Sequence, residues 1–447
     1  MSIVDQLKIL RRSLKVHVPY TGGVHPVKAE DLLVFYATDE EGNARVVDLG
    51  NATEAHLTDM AAACQAATFG LNQTDVLDES YRKAGKMNLS RFSPHLDVVA
   101  SGLLDAISPD ILDGQDTDGD KILRAELLYK LNVYGPGSFF KAHKDTPRGE
   151  AMIGSLVVVF PTAHKGGELT LAHDETTWTF DSAAEIAAHG SLSTPAVAYV
   201  AFYSDVTHAV EPVVEGHRVT LTYNLFLTNR PTHTSAAVAG HRIVPAPENA
   251  FQDALRALLA DREFFPAGGL LAYGLAHQYP MPTPPQGGSD TERAEVGFVL
   301  QLLKGSDARI RTVSERVGLA THVKMLYDSG DSNEVGHDVL ADHVLFLEYV
   351  YEDNVPLRTE VEQRGIVLKR GPERRKVMRR GRRDDYEEPS EGVTVHWVTK
   401  ITKLNRVGSG YVAQGNEASL AYVYGNAALF VSVPKIGEGV RADVVPA

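Results

Sequence analysis

The chain has 447 residues, of which 43% are hydrophobic and 23% are charged. This length favours two or three domains, and the composition excludes a disordered chain. The net charge of −14 argues against general binding to nucleic acid, whose phosphates the overall field would repel. Runs of about 18 apolar residues are missing, so a membrane span is not expected.

The N-terminal segment has apolar residues at helical spacing with charged residues between them: Ile3, Leu7, Leu10 and Leu14. This pattern predicts an amphipathic helix, whereas a signal peptide would have an unbroken apolar core. Cys64 is the only cysteine, so the chain cannot form an internal disulfide. We therefore expect a cytoplasmic or nuclear protein.

Residues 1–120 mix helix and strand patterns, and we predict that they support a core that follows them. Residues 31–38, "DLLVFYAT", predict a short strand. A helix is predicted over residues 51–70, with Asn51 and Thr53 as candidate N-caps and Gly70 at its end.

Residues 121–230 contain short segments rich in Val, Thr, Tyr and Phe, separated by Gly, Pro and Asp. This pattern predicts a β-sandwich or a jelly-roll barrel. Residues 231–447 begin with an aperiodic linker and then alternate helical and strand patterns, which predicts a mixed α/β domain that could dock a substrate. The fold class expected for the whole chain is α+β.

The segment "NVYGPGSFFKAHKDTPRG" brings His143 and Asp145 close together at the end of a predicted strand. Residues i and i+2 of a strand point the same way, so both side chains can face one metal ion. His208, on a predicted loop after a later apolar strand, is the candidate third ligand. Two histidines and one carboxylate suit ferrous iron, because they leave coordination positions open.

Arg218 follows His208 by ten residues and opens the alternating segment "RVTLTYNL". Arg218, Thr220 and Thr222 are expected on one face of this strand. A guanidinium near the metal is suited to a carboxylate, because its planar fork pairs with two oxygens.

Residues 134–225 resemble the prolyl 4-hydroxylase-like branch of the Fe(II)- and 2-oxoglutarate-dependent dioxygenases. The matching motifs are "YGPGSFFKAHKDT", "GGELTL" and "HAVEPVVEGHRVTLTYNL". The resemblance implies a double-stranded β-helix core in which His143, Asp145 and His208 hold Fe(II). It also implies that Arg218 binds the far carboxylate of 2-oxoglutarate and that Tyr134 lines the cosubstrate pocket.

The resemblance implies hydroxylation of an unactivated C–H bond, with release of succinate and carbon dioxide and with ascorbate able to support turnover. A prolyl or other residue of a peptide or protein is the expected substrate, with a small molecule as the other choice. Related halogenases have a small residue in place of the carboxylate, so Asp145 favours hydroxylation. One alternative is a nucleic-acid demethylase, although such enzymes carry a second arginine where Asn224 stands here. A non-catalytic binding module is the other.

Two further motifs resemble metal sites but have simpler interpretations. A second His-x-Asp pair, His95 and Asp97, precedes a predicted helix and is expected in an exposed turn. The acidic stretch 113–126 lacks two key carboxylates of a calcium loop, so we expect no calcium site at Asp116, Asp118 and Asp120.

Residues 369–383 carry nine basic residues and one acidic residue, and an acidic segment follows them. A solvated loop is the expected interpretation, with a nuclear-localisation or polyanion-binding patch as the alternative. The histidines at 164, 173, 189 and 217 are expected in loops or at the surface.

Overall fold

The computed structural model describes these residues: 1–14, 17–38, 43–71, 74–115, 121–189, 194–229, 246–282, 295–328, 338–343, 365–370, 392–401, 422–425 and 427–445. In this part of the chain, no helix has the length and apolar character needed to cross a membrane. The predicted acidic turn at 116–120 and residues 371–383 of the basic segment lie outside it.

The α-helices are α1 Ile3–Ser13, α2 Glu54–Ala62, α3 Leu103–Ile111, α4 Ser182–His189, α5 Ala246–Leu259 and α6 Gly305–Arg316. Short 3₁₀ helices are Ala29–Leu32, Gly297–Leu302 and Gly439–Arg441. The first strands are β1 Tyr20–Pro26, β2 Leu33–Ala37, β3 Ala44–Asp48, β4 Gln65–Ala66, β5 Phe69–Leu71, β6 Thr74–Val76, β7 Arg82–Lys83, β8 Gly85–Met87 and β9 Phe92–Pro94.

The middle strands are β10 Lys121–Tyr134, β11 Phe139–His143, β12 Met152–Val159, β13 His164–Gly166, β14 Leu169–His173, β15 Thr176–Phe180, β16 Ala196–Tyr203, β17 Thr207–Val210, β18 Val213–Gly216 and β19 Arg218–Asn229. The last strands are β20 Gly269–Gly274, β21 Tyr279–Pro282, β22 Ala320–Asp328, β23 Asp338–Ala341, β24 Ile366–Arg370, β25 Val393–Trp397, β26 Tyr422–Gly425 and β27 Ala428–Val433.

The N-terminal elements follow local signals, with one correction. Helix α1 and strand β2 lie where their patterns predict, and the Thr53 hydroxyl caps α2 by accepting from the His56 backbone N–H. The predicted helix over 51–70, however, ends at Ala62. The chain then forms β4, which pairs with β8. Sheet pairing thus overrides the helix propensity of an alanine-rich segment.

Two antiparallel sheets form the middle of the molecule. The larger sheet has the strand order β1-β16-β12-β19-β10-β8-β4, and the smaller has the order β15-β14-β17-β11-β7. Side chains from both sheets line one shared cavity, so the sheets face each other across it. Helices α3 and α4 pack on β16 and β1 of the larger sheet. Both faces of this sheet are therefore covered, and every residue of β12 is buried.

Residues before 121 complete the larger sheet. Strand β1 pairs with β16 along its whole length, from Tyr20 opposite Phe202 to Pro26 opposite Ala196. Strands β4 and β8 extend the other edge beside β10. The N-terminal region therefore protects both edges of the central strands.

The C-terminal region contains a closed barrel of the order β20-β25-β24-β23-β22-β27. Strand β25 is parallel to both β20 and β24, and the other pairs are antiparallel. A small apolar cluster belongs to this barrel: Ala272, Leu326, Leu340, Leu368, Val395, Trp397, Ala428 and Phe430. Large side chains among these indicate a packed barrel interior.

One large apolar core joins the three parts of the chain. It includes Leu7 and Leu10 of α1, the strands of the larger sheet, and Phe251 and Leu255 of α5. Helices α1 and α5 are in contact, as are α5 and α6. The C-terminal region is therefore packed against the two-sheet core by apolar burial.

Arg441 stabilises this C-terminal region without any carboxylate partner in the described residues. Its guanidinium is fully buried and donates hydrogen bonds of 2.7–3.2 Å to the backbone carbonyls of five residues: Leu259, Asp261, Phe264, Phe265 and Pro434. The end of α5 and the segment after it are held to the chain after β27 in this way.

We expect Arg441→Met to lower the free energy of unfolding by about 3 kcal/mol or more, because each buried carbonyl left unpaired costs about 1–3 kcal/mol. Urea denaturation followed by circular dichroism measures the change. The control is Lys435→Met, which removes an exposed cation paired with Glu438 and should leave stability close to wild type. Equal stability of the two variants would contradict this role of Arg441.

Candidate metal centre

Strand pairing brings together the three residues proposed as ligands. Strand β11 ends at His143, and Asp145 follows two residues later. Strand β17 pairs with β11 so that His208 lies directly opposite His143. The expectation that His208 lies on a loop is wrong, because hydrogen bonds to β11 and β14 extend the chain there into a strand.

The three side chains converge on one small region. One ligand atom from each of His143, Asp145 and His208 lies within 4.8 Å of the other two, and all three residues are buried. The imidazole centroids are 4.3 Å apart, and His208 Nε2 is 3.8 Å from Asp145 Oδ1. Three ligands grouped on one side of a point suit a metal that keeps open positions.

The backbone selects the tautomer of both histidines. His143 Nδ1 lies 2.7 Å from the carbonyl oxygen of Lys141, and His208 Nδ1 lies 3.1 Å from that of Val206. A carbonyl oxygen only accepts, so each Nδ1 must carry the proton. Each Nε2 therefore keeps a lone pair for a metal, and the hydrogen bond fixes the orientation of the ring.

Electrostatics also favour metal binding. Burial, together with the nearby His208, holds the pKa of His143 well below its usual range, so this imidazole is neutral near pH 7. The Ser155 hydroxyl donates to Asp145 Oδ2 and orients the carboxylate. Phe140 stacks on the His143 ring at a centroid separation of 3.6 Å and shields it from solvent.

The cavity beside the three ligands contains Arg218 and Tyr134. It is lined by Arg82, Lys130, Asn132, Tyr134, Phe140, His143, Asp145, Val157, Leu169, His208, Val210, Arg218, Thr220 and Thr222. Arg218, Thr220 and Thr222 therefore share the face of β19 that the alternating pattern predicts. Tyr134 of β10 pairs with Arg218 of β19, and the guanidinium lies 5.7 Å from the Tyr134 ring centroid.

Arg218 is a buried cation with unused donors. Its side chain is 1% exposed, and its Nε and Nη2 atoms have no hydrogen-bond partner in the described structure. Burial lowers its pKa from the usual value, but a guanidinium stays charged. Among the described residues no ion pair neutralises this cation, although the more distant Glu168 favours its charged form. A buried charge without a direct partner is costly, so this arrangement is suited to an anionic ligand.

Gly167 gives the Arg218 side chain its space. Its φ of +75° is in the left-handed region, and a Cβ there would lie 3.0 Å from Arg218 Cδ and 2.9 Å from Val213 Cγ2. A glycine is therefore required at the second position of the "GGELTL" motif, because a larger residue would clash with Arg218 and Val213.

The second His-x-Asp pair takes no part in this centre. Asp97 Oδ1 accepts from the backbone N–H groups of Val99 and Ala100, which forms a turn before α3. His95 is about half exposed and lies 3.7 Å from Asp31. The prediction of an exposed turn is confirmed.

A second group of possible ligands was not predicted from the sequence. His173, Asp205 and His277 also place their ligand atoms within 4.8 Å of one another. His173 ends strand β14 and is largely buried, which corrects the expectation that it lies in a loop or at the surface. His217 lies in the connection between β18 and β19, as expected, but its side chain is buried. His277 lies 72 residues from Asp205, so only the tertiary structure reveals the group.

Hydrogen bonding explains this second group without a metal. The Asp205 carboxylate is 3.2 Å from a nitrogen of each histidine and accepts from the Gln278 backbone N–H and from Lys304 Nζ, both at 3.0 Å. Burial alone would raise the pKa of Asp205, but Lys304 and His277 hold it well below the usual range. A cation therefore already neutralises this carboxylate, and four donors occupy its two oxygens.

Residues 129–226 match the family model of the 2OG-Fe(II) oxygenase superfamily. This part of the chain is a 2OG-Fe(II) oxygenase domain. Membership implies a double-stranded β-helix core, with which the two facing antiparallel sheets agree, and it implies Fe(II) and 2-oxoglutarate as cofactor and cosubstrate. A comparison with curated protein sequences finds no matching relative.

The oxygenase domain also has similar solved structures. A Pseudomonas putida prolyl-4-hydroxylase is 18% identical, with 49% of this chain and 98% of that chain covered and a TM-score of 0.27. A prolyl hydroxylase from Trichoplax adhaerens, solved with a hypoxia inducible factor peptide, is 12% identical, with 51% and 94% covered and a TM-score of 0.28. A Burkholderia pseudomallei oxidoreductase of the 2OG-Fe(II) oxygenase family is 14% identical, with 51% and 91% covered and a TM-score of 0.25.

We expect the protein to bind one equivalent of Co(II), a spectroscopic substitute for Fe(II), and His143→Ala or His208→Ala to abolish this binding. Each variant removes an imidazole from the three-ligand set. Co(II) absorption and metal analysis after gel filtration measure the stoichiometry.

Two histidine variants serve as controls for this experiment. His95→Ala changes the exposed turn and His277→Ala changes the Asp205 cluster, and both should keep one equivalent of Co(II). Loss of the metal in His277→Ala, with binding retained in His143→Ala, would move the metal site to the Asp205 cluster and contradict the assignment.

Proposed function

We propose that the protein is an Fe(II)- and 2-oxoglutarate-dependent dioxygenase that hydroxylates an unactivated C–H bond of a peptide or protein, with a prolyl residue as the first candidate. Each turnover would consume dioxygen and 2-oxoglutarate and would give succinate, carbon dioxide and the hydroxylated product. The choice of a prolyl peptide rests on the resemblance of residues 134–225 to the prolyl 4-hydroxylase-like branch.

The residues available to hold Fe(II) are His143, Asp145 and His208. Both imidazoles direct a free Nε2 toward the shared region, since their Nδ1–H groups donate to backbone carbonyls. Asp145 Oδ1 lies closest to His208, while Oδ2 accepts from Ser155. Bound iron would supply the oxidation chemistry, and the protein supplies neutral, pre-oriented imidazoles for it.

The observation that carries the proposal is the buried guanidinium of Arg218, with its unpartnered Nε and Nη2, in the same cavity as the three ligands. It can donate two charge-assisted hydrogen bonds to the far carboxylate of 2-oxoglutarate. The nearby Thr220 hydroxyl and the Tyr134 ring line the same end of the cavity. The 2-oxo acid group at the other end of the molecule would then reach the metal.

The remaining lining suits a reaction that must exclude water. Val157, Leu169 and Val210 provide apolar walls between the two sheets. Phe140 covers one face of His143. A low-dielectric cavity strengthens the pairing of a carboxylate with Arg218 and limits side reactions.

The demethylase alternative finds no support in this cavity. Asn224 occupies the position of the second arginine of such enzymes, and it is absent from the described lining. We therefore retain hydroxylation as the proposed reaction.

We expect Arg218→Met to raise the Michaelis constant for 2-oxoglutarate about 100-fold or more. The variant loses two charge-assisted hydrogen bonds of about 1.5–3 kcal/mol each. Each 1.4 kcal/mol of lost binding free energy raises the Michaelis constant about tenfold. Arg218→Lys should be milder, because it keeps the charge but loses the planar fork. Succinate production against 2-oxoglutarate concentration measures the effect, and Co(II) binding should survive in both variants. If Arg218→Met had the same Michaelis constant for 2-oxoglutarate as wild type, the assignment of Arg218 as the residue that binds this cosubstrate would be wrong.

Gly167→Ala should also raise this Michaelis constant, by about tenfold, because displacing Arg218 would cost about 1.4 kcal/mol. The matched control is Gly437→Ala. Gly437 has a φ of +85°, and a Cβ added there would meet nothing within 4 Å, so that variant carries only the backbone strain. Succinate assays on both variants separate the effect of displacing Arg218 from the effect of backbone strain. A parallel change in both would show that strain, and not the displacement of Arg218, weakens binding.

A further inference from the structure

The cavity contains more positive charge than iron and 2-oxoglutarate require. Its lining includes three cations, Arg82, Lys130 and Arg218, and one carboxylate, Asp145. The formal charge of the lining is therefore +2. Adding a ferrous ion and the 2-oxoglutarate dianion leaves it at +2, because their charges cancel.

The additional cations lie away from Arg218. Tyr134 pairs with Arg218, and Asn132 pairs with Thr220 on the same two strands. Lys130 precedes Tyr134 by four residues and lies at the register shift between Leu127 and Leu131, so the two residues are separated by at most about 13 Å along β10. A five-carbon diacid that reaches from the metal to Arg218 therefore leaves the Lys130 end of the cavity unfilled.

Arg82 is fixed beside the metal centre at this second end. Its guanidinium donates to the Thr68 carbonyl at 2.8 Å and to Asn132 Oδ1 at 2.9 Å, and it lies 4.3 Å from the Phe140 ring centroid. Phe140 in turn stacks on His143. These contacts direct the side chain of β7 into the cavity between the sheets.

The positive charge of Arg82 has only neutral hydrogen-bond partners in the described structure. The side chain is 4% exposed, and its Nε has no partner there. Burial, with Arg82 and Arg148 nearby, lowers the pKa of Lys130 to about 8, although the carboxylates of Asp75 and Asp145 act on it in the opposite direction. Mutual repulsion between cations in a buried site is relieved when an anion binds.

We propose that the substrate carries an anionic group, a carboxylate or a phosphate, that binds at the Arg82–Lys130 end of the cavity while its C–H bond faces the metal. This inference rests on the proposed function and adds a substrate class to it, that of acidic molecules. An acidic side chain beside the hydroxylated residue of a peptide would satisfy it. A phosphorylated residue has the same chemistry at this site.

The test uses the full chain loaded with Mn(II) and saturated with N-oxalylglycine, an inert analogue that occupies the 2-oxoglutarate site. Inorganic phosphate and acetate are then titrated separately. Paramagnetic relaxation of the phosphate ³¹P or acetate ¹H signal by Mn(II) reports binding within the cavity. We expect saturable binding of at least one of the two anions, and the tighter one indicates the anionic group of the substrate.

Arg82→Met should weaken anion binding at least tenfold, while Arg82→Lys should retain part of it. The matched control is Lys83→Met, which removes the neighbouring exposed cation of β7 and should bind the anion like wild type. Retained Mn(II) and N-oxalylglycine binding in each variant shows that the site is folded.

The outcomes distinguish this inference from the proposed function. If Mn(II) or N-oxalylglycine fails to bind the wild-type protein, the proposed function fails and the inference falls with it. If both bind but neither anion does, or if Arg82→Met leaves anion affinity unchanged, only the acidic-substrate inference is overturned.

Discussion

The antiparallel register between β11 and β17 is the constraint on which the metal centre depends. It places His143 opposite His208, and side chains of directly opposed residues lie on the same face of a sheet. A slip of one residue would turn one imidazole to the other face, because the side-chain period of a strand is two. Strand β14 pairs with the other edge of β17, so neighbours on both sides hold His208 in place.

Polar contacts from the C-terminal region reach both ligand-bearing segments. Lys144, between His143 and Asp145, donates to the Gln278 side chain at 2.6 Å. The Gln278 backbone N–H donates to Asp205, which precedes His208 by three residues. Lys304 donates to Asp205 and to the Gln278 carbonyl, each at 3.0 Å. The C-terminal region therefore supports the oxygenase domain at the positions where ligand geometry is determined.

The cavity is lined by polar side chains but surrounded by an apolar core. This contrast strengthens its interactions with charged ligands. Val219 and Leu221 of β19 point into the apolar core, while Arg218 and Thr220 point between the sheets. A guanidinium in such surroundings interacts strongly with a carboxylate, because little water screens the pair. The same reasoning applies to Arg82 at the other end, so the two ends of the cavity can select two different anions.

The sequence by itself determined the local features: helix α1, two candidate caps for α2, strands β10, β12, β14, β15, β16 and β19, the alternation of Arg218, Thr220 and Thr222, and the choice of His143, Asp145, His208 and Arg218 as candidates, to which the family resemblance added Tyr134. These follow from periodicity and from motifs whose residues are close in the chain. Only the tertiary structure decided that α2 ends at Ala62, that His208 lies in a strand, and that Arg82 enters the cavity. It alone revealed the C-terminal barrel and the contact of Asp205 with His277 and Lys304. The reason is that strand pairing and the burial of charge depend on residues far apart in the chain, which no local pattern encodes.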